Sequence, residues 1–388
     1  MTQESVAYFD NAATSWPKPN EVYDFADSFY RSSGANMGRG QYRMSSKASR
    51  ILEEDRELIL DLFHCPGKQV VFTPSPTIAL NCIILGSGLS AGDVVYITPF
   101  EHNSVLRPLR ALEESDGIIV RQIPFGRESL QIDYQSLNSM FTKDPPKMLI
   151  ATHVSNVCGL IVPIESLCKA AKAYQATTVL DMSQSAGLID TDLASSDVDF
   201  AVFASHKTLL GPFGLSGFVA KTSAELDPVL FGGNGVDSLN LGMAKNLRLQ
   251  TEIGSQNTYA AAGLNAALKW VIPRCHSNEL SLTDQNNRKQ LLEVLGSYEC
   301  IHLHGLSHAV NEVGIVSASL DGFSSEEFGK ILDERNVATR AGLHCAPLAH
   351  QFFGTAPGGT VRFSVGAFTS ADDFATLNHA LAEIESAV

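Results

Sequence analysis

"DFAVFASHKTLLGPFG", Asp199 to Gly214, sets a lysine just behind a short apolar run, and "TVLDMSQSAG", Thr178 to Gly187, sets an aspartate behind another. The separation is 207 − 181 = 26 residues, enough for one strand to end and a neighbouring one to begin. Each run has the length and apolar density of a buried parallel strand. Strand ends of an α/β sheet converge on its ligand crevice, so Lys207 and Asp181 are expected to reach one small molecule. A lysine able to form an imine, opposite an acid able to keep a pyridine nitrogen protonated, is the anchor set for pyridoxal 5'-phosphate.

Outward from this pair the pattern alternates. Helical spacing at Ser45–Phe63, Thr77–Leu85 and Val105–Glu114 is interleaved with strand-like Val70–Phe72, Val94–Ile97, Ile118–Ile123, Met148–His153 and Ser216–Ala220. Strands joined by helical crossovers predict an α/β fold with a mainly parallel sheet between helices. A helix over Asn257–Trp270 and a polar stretch, Arg274–Lys289, predict a hinge into a second domain. Beyond it, Ile315–Leu320 reads as a strand. Ser324 with Glu327, and Ser370 with Asp373, read as helix-opening caps. Phe374, Leu377, Leu381 and Ile384 then mark the core face of the last helix.

A chain of 388 residues exceeds one ordinary core, which favours two domains. Its net charge of −14, with no lysine or arginine run, argues against nucleic acid as a partner. No apolar stretch approaches the roughly 20 residues that cross a bilayer. "MTQESVAYFD" has neither the basic start nor the apolar segment of a signal peptide. The seven cysteines are scattered and form no C-x-x-C pair, so neither a metal site nor a disulfide framework is expected, and a reducing cytoplasm fits.

Four further segments carry chemistry. "VVFTPSPTIALN" (Val70–Asn81) runs from strand to helix through a Ser/Thr/Pro loop, and a helix N-terminus there, with Thr77, suits a phosphate. "PFEHNSV" (Pro99–Val105) puts His102 past a strand end, where an imidazole can lie on a pyridine ring and take part in proton transfer. "THVSNVCGLIVP" (Thr152–Pro163) places Asn156 at another strand end, and Gln184 follows Asp181 by three residues. Either amide can bind a substrate carboxylate or a phenolic oxygen. In "ATRAGLHCAPLAH" (Ala338–His350), Cys345 lies in a polar loop beside His344 and near Arg340, where positive charge favours a thiolate. Arg362, in "GGTVRFSVG" (Gly358–Gly366), offers a fork for a carboxylate.

The chain resembles the class V aminotransferases of the fold-type I pyridoxal-phosphate enzymes, in their cysteine desulfurase and selenocysteine lyase branch. The likeness runs from "YFDNAATSWPKP" (Tyr8–Pro19) to "VRFSVGAF" (Val361–Phe368), and is most specific at "SHK", "RAGLHCAP" and "DNAAT". It implies a large domain of residues 16–268 with a seven-stranded sheet, and a smaller α+β domain from residues 1–15 and 269–388. Lys207 is then the lysine that carries the cofactor, Asp181 the partner of its ring nitrogen, His102 the stacking ring and Gln184 the ligand of its phenolic oxygen. Thr77, His206 and Ser205 would serve the phosphate. Ser255, in "EIGSQNT" (Glu252–Thr258), would serve the phosphate of the second subunit of a homodimer.

Arg362, Asn156 and Arg340 would bind substrate, and Cys345 would take sulfur from L-cysteine as a persulfide, leaving L-alanine. A sulfur-acceptor protein is an expected partner. L-selenocysteine as substrate, another activity of this fold, or a non-catalytic sulfur-transfer scaffold are the alternatives. Ala204, Pro76, Gly38 and Gln256 depart from the family pattern: Ala204 replaces a hydroxyl residue, and Pro76 removes a backbone donor from the phosphate loop.

Overall fold

The computed structural model describes residues 6–38, 40, 42–233, 235, 239–307 and 310–386. The first five residues, part of the amino-terminal stretch read above, lie outside it. Strand β1 is Ala7–Tyr8, followed by helices α1 (Asn20–Ser33) and α2 (Arg43–Leu62). Next come β2 (Lys68–Thr73), α3 (Pro76–Leu85), β3 (Val94–Ile97), α4 (Asn103–Ser115), β4 (Ile119–Gln122) and α5 (Tyr134–Lys143). The alternation continues with β5 (Pro146–Thr152), α6 (Ile164–Lys172), β6 (Thr177–Asp181), β7 (Phe200–Ala204) and β8 (Ser216–Lys221).

These strands form a seven-stranded sheet in the order β2-β8-β7-β6-β5-β3-β4. All neighbours are parallel except those of β8, which runs antiparallel to β7 and β2. Parallel central strands must be covered on both faces, and β3, β6 and β7 are accordingly almost wholly buried. One apolar cluster joins α2, α8 and the sheet face carrying Phe72, Phe203 and Leu180, and a second packs α3 and α4 on the opposite face.

The chain then forms α7 (Leu247–Thr251), α8 (Thr258–His276), α9 (Glu279–Leu295), β9 (Ile301–His304), β10 (Ile315–Leu320) and α10 (Ser325–Asp333). It ends with β11 (Val337–Ala338), β12 (Arg340–Gly342), α11 (Pro347–Phe353), β13 (Thr360–Ser364) and α12 (Ala371–Glu385). A four-stranded antiparallel sheet, β12-β13-β10-β9, has its own core with Phe328, Phe363, Leu377 and Phe9. Both predicted caps are reciprocal capping boxes, and Phe374, Leu377, Leu381 and Ile384 are buried. We propose that the division into two domains follows these separate cores.

The expected hinge at Arg274–Lys289 is helix instead. Only Ser277 and Asn278 separate α8 from α9, with Asn278 at φ 60° breaking the helical path. Leu280, Asp284, Leu291 and Leu295 are buried at helical spacing, and their polar neighbours hid that stripe in the sequence. Within α8, Gly263 has a positional meaning. A β-carbon there would lie 2.3 Å from Pro212 of the Lys207 loop, so the glycine is what lets helix and loop meet.

Candidate active site

The ends of four consecutive strands, β7, β6, β5 and β3, supply one wall of a cavity of about 240 Å³. β6 ends at Asp181, whose Oδ1 accepts the Ser183 N–H at 2.9 Å. β7 ends at Ala204, and the chain folds back so that the Gly211 N–H reaches the Ser205 carbonyl and the Leu210 N–H the Lys207 carbonyl, at 2.7 and 2.8 Å. This turn, with Leu210 at φ 58°, presents His206 and Lys207 to the cavity. Burial lowers Lys207 to about 8; Asp181 opposes that shift, and Arg362 and Arg340 add to it.

His102 follows β3 and caps α4, its Nδ1 accepting the Ser104 N–H at 3.0 Å. Burial, and then the charge of Lys207, push it down to about 4. The ring is therefore neutral near pH 7, and with Nδ1 accepting, its proton sits on Nε2. The preceding Glu101 is fully buried. Its Oε1 accepts the Thr98 hydroxyl at 2.6 Å and the Thr152 N–H at 2.8 Å, and Oε2 has no partner among the described residues. Burial raises it to about 8.

At the start of α3 the capping hydroxyl is Ser75, which accepts the Ile78 N–H at 3.3 Å. Pro76 occupies the first turn, where the missing N–H would have had no helical partner, so this departure removes no intrahelical bond. Thr77 follows, exposed to the cavity. Gly38 takes φ 76°, a left-handed position that disfavours any side chain with a β-carbon.

The opposite wall comes from the four-stranded sheet. Arg362 on β13 and Arg340 on β12 are direct cross-strand partners. Arg362 is buried; one terminal nitrogen donates to Asp10 at 2.8 Å, the other to the Asn156 carbonyl at 3.1 Å, and Nε has no partner among the described residues. Arg340 donates to Cys345 Sγ at 3.3 Å. The Cys345 loop is four residues long, between Gly342 and Pro347, with His344 and Cys345 both left-handed at φ 50° and 59°. Three contacts fix it: the Asn103 N–H to the Cys345 carbonyl at 2.7 Å, the Asn156 amide to the His344 carbonyl at 2.8 Å, and the His344 ring to Thr360 at 3.1 Å.

Thr77, His102, Asn156, Asp181, Gln184, His206, Lys207, Arg340 and Arg362 all line the cavity. Cys345 is half-buried beside it, joined to the lining through Arg340. Ser205 is turned away, because its hydroxyl donates to the Pro212 and Leu215 carbonyls that close the Lys207 turn. It is not placed to serve a phosphate there. His344 is not a cation beside the thiol either; burial drives it down to about 2, and its Nε2 is paired with Thr360. Ser255 is exposed, bonded to Asn36 at 2.9 Å and outside its own chain's cavity.

The sequence reading gave no role to Asp10, Ala12 or Lys18. Asp10 neutralises Arg362, Ala12 offers its carbonyl to the Gln184 amide at 2.8 Å, and Lys18 reaches the His206 carbonyl at 3.3 Å. The run "DNAAT" thus laces the two walls together. Its signal was an acid and small polar residues in a row with no helical or strand period.

The mainly parallel seven-stranded sheet, with a lysine behind a central strand and a smaller sheet closing the cavity, is the fold-type I architecture. The chain belongs to the aminotransferase class-V family, whose model matches residues 7–377. It is 30% identical over 392 residues to a probable cysteine desulfurase of Pyrococcus abyssi, covering 99% of this chain and 95% of that one. A probable cysteine desulfurase of Aeropyrum pernix is 31% identical over 399 residues, with 98% and 95% covered. The apo structure of a cysteine desulfurase from Thermococcus onnurineus NA1 superposes with a TM-score of 0.89 at 28% identity, covering 99% of this chain and 95% of that one.

Proposed function

We propose that this protein is a pyridoxal-phosphate-dependent cysteine desulfurase, converting L-cysteine to L-alanine with transfer of the sulfur to Cys345. The observation that carries this reading is an amine and an arginine-bonded thiol at one cavity, on opposite walls. The residues present fit the cofactor. His206 Nδ1 is buried without a partner among the described residues, Lys207 faces Asp181, and the neutral His102 ring borders the same space. Lys207 would hold the aldehyde, Asp181 the ring nitrogen, His102 the ring face, Gln184 the phenolic oxygen, and Thr77 with His206 the phosphate. When bound, the group supplies an electron sink that acidifies the substrate's α-carbon.

The chain's own residues do the rest. With its amine lowered to about 8, Lys207 can take and return the α-proton near neutrality. Arg362 has an unspent Nε–H for the substrate carboxylate, and Asn156 borders the same place. Cys345 attacks the substrate sulfur, and the substrate's Cβ–S bond breaks as the S–S bond forms, its electron pair staying with the carbon skeleton, which protonation turns into alanine; Arg340 directs an N–H at the Cys345 sulfur.

A homodimer with shared sites belongs to this proposal. Ser255 lies outside its own cavity, and Phe231, Leu239 and Leu241 in the preceding segment are 76%, 97% and 100% exposed, apolar surface that a second copy would cover. The seven unpaired cysteines support a reducing, cytoplasmic setting. The short, thrice-anchored thiol loop supports slow turnover until an acceptor protein or reductant removes the sulfur.

The test is to incubate the cofactor-loaded protein with L-cysteine and quantify alanine and Cys345-bound persulfide, with L-selenocysteine in a parallel arm. The expected result is alanine with persulfide on Cys345, and a Cys345→Ala variant that keeps its colour and binds cysteine but forms no persulfide. Full activity of that variant on cysteine would remove the assignment.

A further inference from the structure

We propose that His64, Asp190 and His276 form a binding site for a divalent transition-metal ion of the zinc class, away from the catalytic cavity. His64 lies in the turn between α2 and β2, Asp190 in the loop between β6 and β7, and His276 at the last position of α8. Their candidate ligand atoms all lie within 4.8 Å of one another. His64 Nε2 and Asp190 Oδ1 are 2.7 Å apart, and the two imidazoles stack with centroids at 4.5 Å. None of the three lines the cavity. Since His64 precedes β2 and Thr77 follows it, the cluster sits at the opposite end of the sheet from Thr77.

The donor chemistry fits such an ion. Two imidazoles and one carboxylate suit zinc, with water completing the coordination. Zinc holds nitrogen and oxygen donors at about 2.0–2.2 Å. The side chains of His64 and Asp190 are 40% and 34% exposed, so neither is locked by packing. The ion would take the place of the hydrogen between His64 and Asp190, which leaves Nε2 for Nδ1 or solvent on binding. A second carboxylate, Asp192, is near enough to interact with His64, but is tied by the Ala194 and Ser195 N–H groups and the Ser195 hydroxyl. Asp190 is thus the acid free to ligate.

The surrounding backbone holds the three segments together before any ion arrives. The Leu193 N–H donates to the Phe63 carbonyl at 3.0 Å, fixing the Asp190 loop against the His64 turn. His64 itself is held at φ 50°, in the left-handed region that a non-glycine residue enters at a cost. Cys65 and Cys275, next to the two histidines, are buried, and neither sulfur belongs to the cluster of ligand atoms. Thiolate ligation by either is therefore not the chemistry available here.

Zinc(II) alone is the probe, titrated calorimetrically into the cofactor-loaded Cys345→Ala protein so that the reactive thiol does not compete. The expected result is one saturable equivalent, weakened roughly tenfold or more by His64→Ala and by His276→Ala, with a rise in melting temperature that both variants lose. Cobalt(II) in place of zinc should give a visible spectrum without thiolate charge transfer. The metal-free variants should keep cofactor colour and melting temperature, which separates loss of ligand from loss of fold. Absence of a saturable equivalent, binding that survives both substitutions, or a thiolate band would each overturn the site.

Discussion

The two walls of the cavity are built on opposite electrostatic plans. On the seven-stranded side, burial drives ionisable groups toward neutrality: Lys207 to about 8, His102 to about 4 and Glu101 to about 8. On the four-stranded side, two guanidiniums stand directly opposite each other on β12 and β13. Like charges so paired repel, and each has one anionic or polarisable neighbour, Asp10 for Arg362 and the Cys345 sulfur for Arg340. One wall is thus suited to moving a proton, the other to gathering a carboxylate and a sulfur. Under the proposed function, the reaction's two halves are separated by sheet, and each half should be open to damage without the other.

The largest break comes on the proton wall. Lys207→Ala should abolish the visible absorbance of the bound cofactor and cut turnover roughly a thousandfold or more, within the range for a lost acid–base group. Absorbance and single-turnover alanine release measure it. If turnover survived with the absorbance gone, the division of labour would be wrong at its centre.

The other wall gives a smaller, split effect. Arg362→Lys should raise KM for cysteine by roughly ten- to a hundredfold, the worth of one charge-assisted hydrogen bond, and leave the cofactor spectrum unchanged. Arg340→Gln should slow persulfide formation on Cys345 while KM moves by no more than about threefold, a change worth under 1 kcal/mol. Identical KM changes in both variants would merge two roles that the cross-strand pair keeps apart.

The walls also differed in how far they could be read from sequence. Lys207, Asp181 and His102 follow buried parallel strands, whose continuous apolar runs announce both the strand and its end. Arg340 and Arg362 sit on antiparallel strands, where alternation says that one face is buried but not which strand lies opposite. Their pairing, and the Asp10 contact across 352 residues, exist only after folding. Ser205 misled for a related reason. The family resemblance assigned this serine, two residues before the lysine, to the phosphate, yet the backbone turn that presents Lys207 consumes its hydroxyl. The histidine pair with Asp190 carried no local spacing at all, and α9 was masked by polar residues on its exposed face.

On turnover, the smallest effect belongs to Glu101, which borders the proton wall from inside. Its folded value of about 8 lies above the ordinary 4.5, so the fold accommodates the neutral acid. Stability from this group is fully present below about pH 4.5 and is lost as pH rises through 8. In Glu101→Gln the amide oxygen can take the place of Oε1, keeping both the Thr98 and Thr152 donors, while the amide nitrogen replaces the unpartnered Oε2. The variant cannot ionise. Wild type should therefore lose stability with a slope approaching about 1.4 kcal/mol per pH unit across this window from Glu101 alone, a component the variant lacks. Denaturant unfolding at several pH values compares the two. Cysteine turnover near neutrality should differ by no more than about twofold, since the group touches His102 only through the chain. Equal slopes in both proteins would mean that Glu101 is ionised inside the fold.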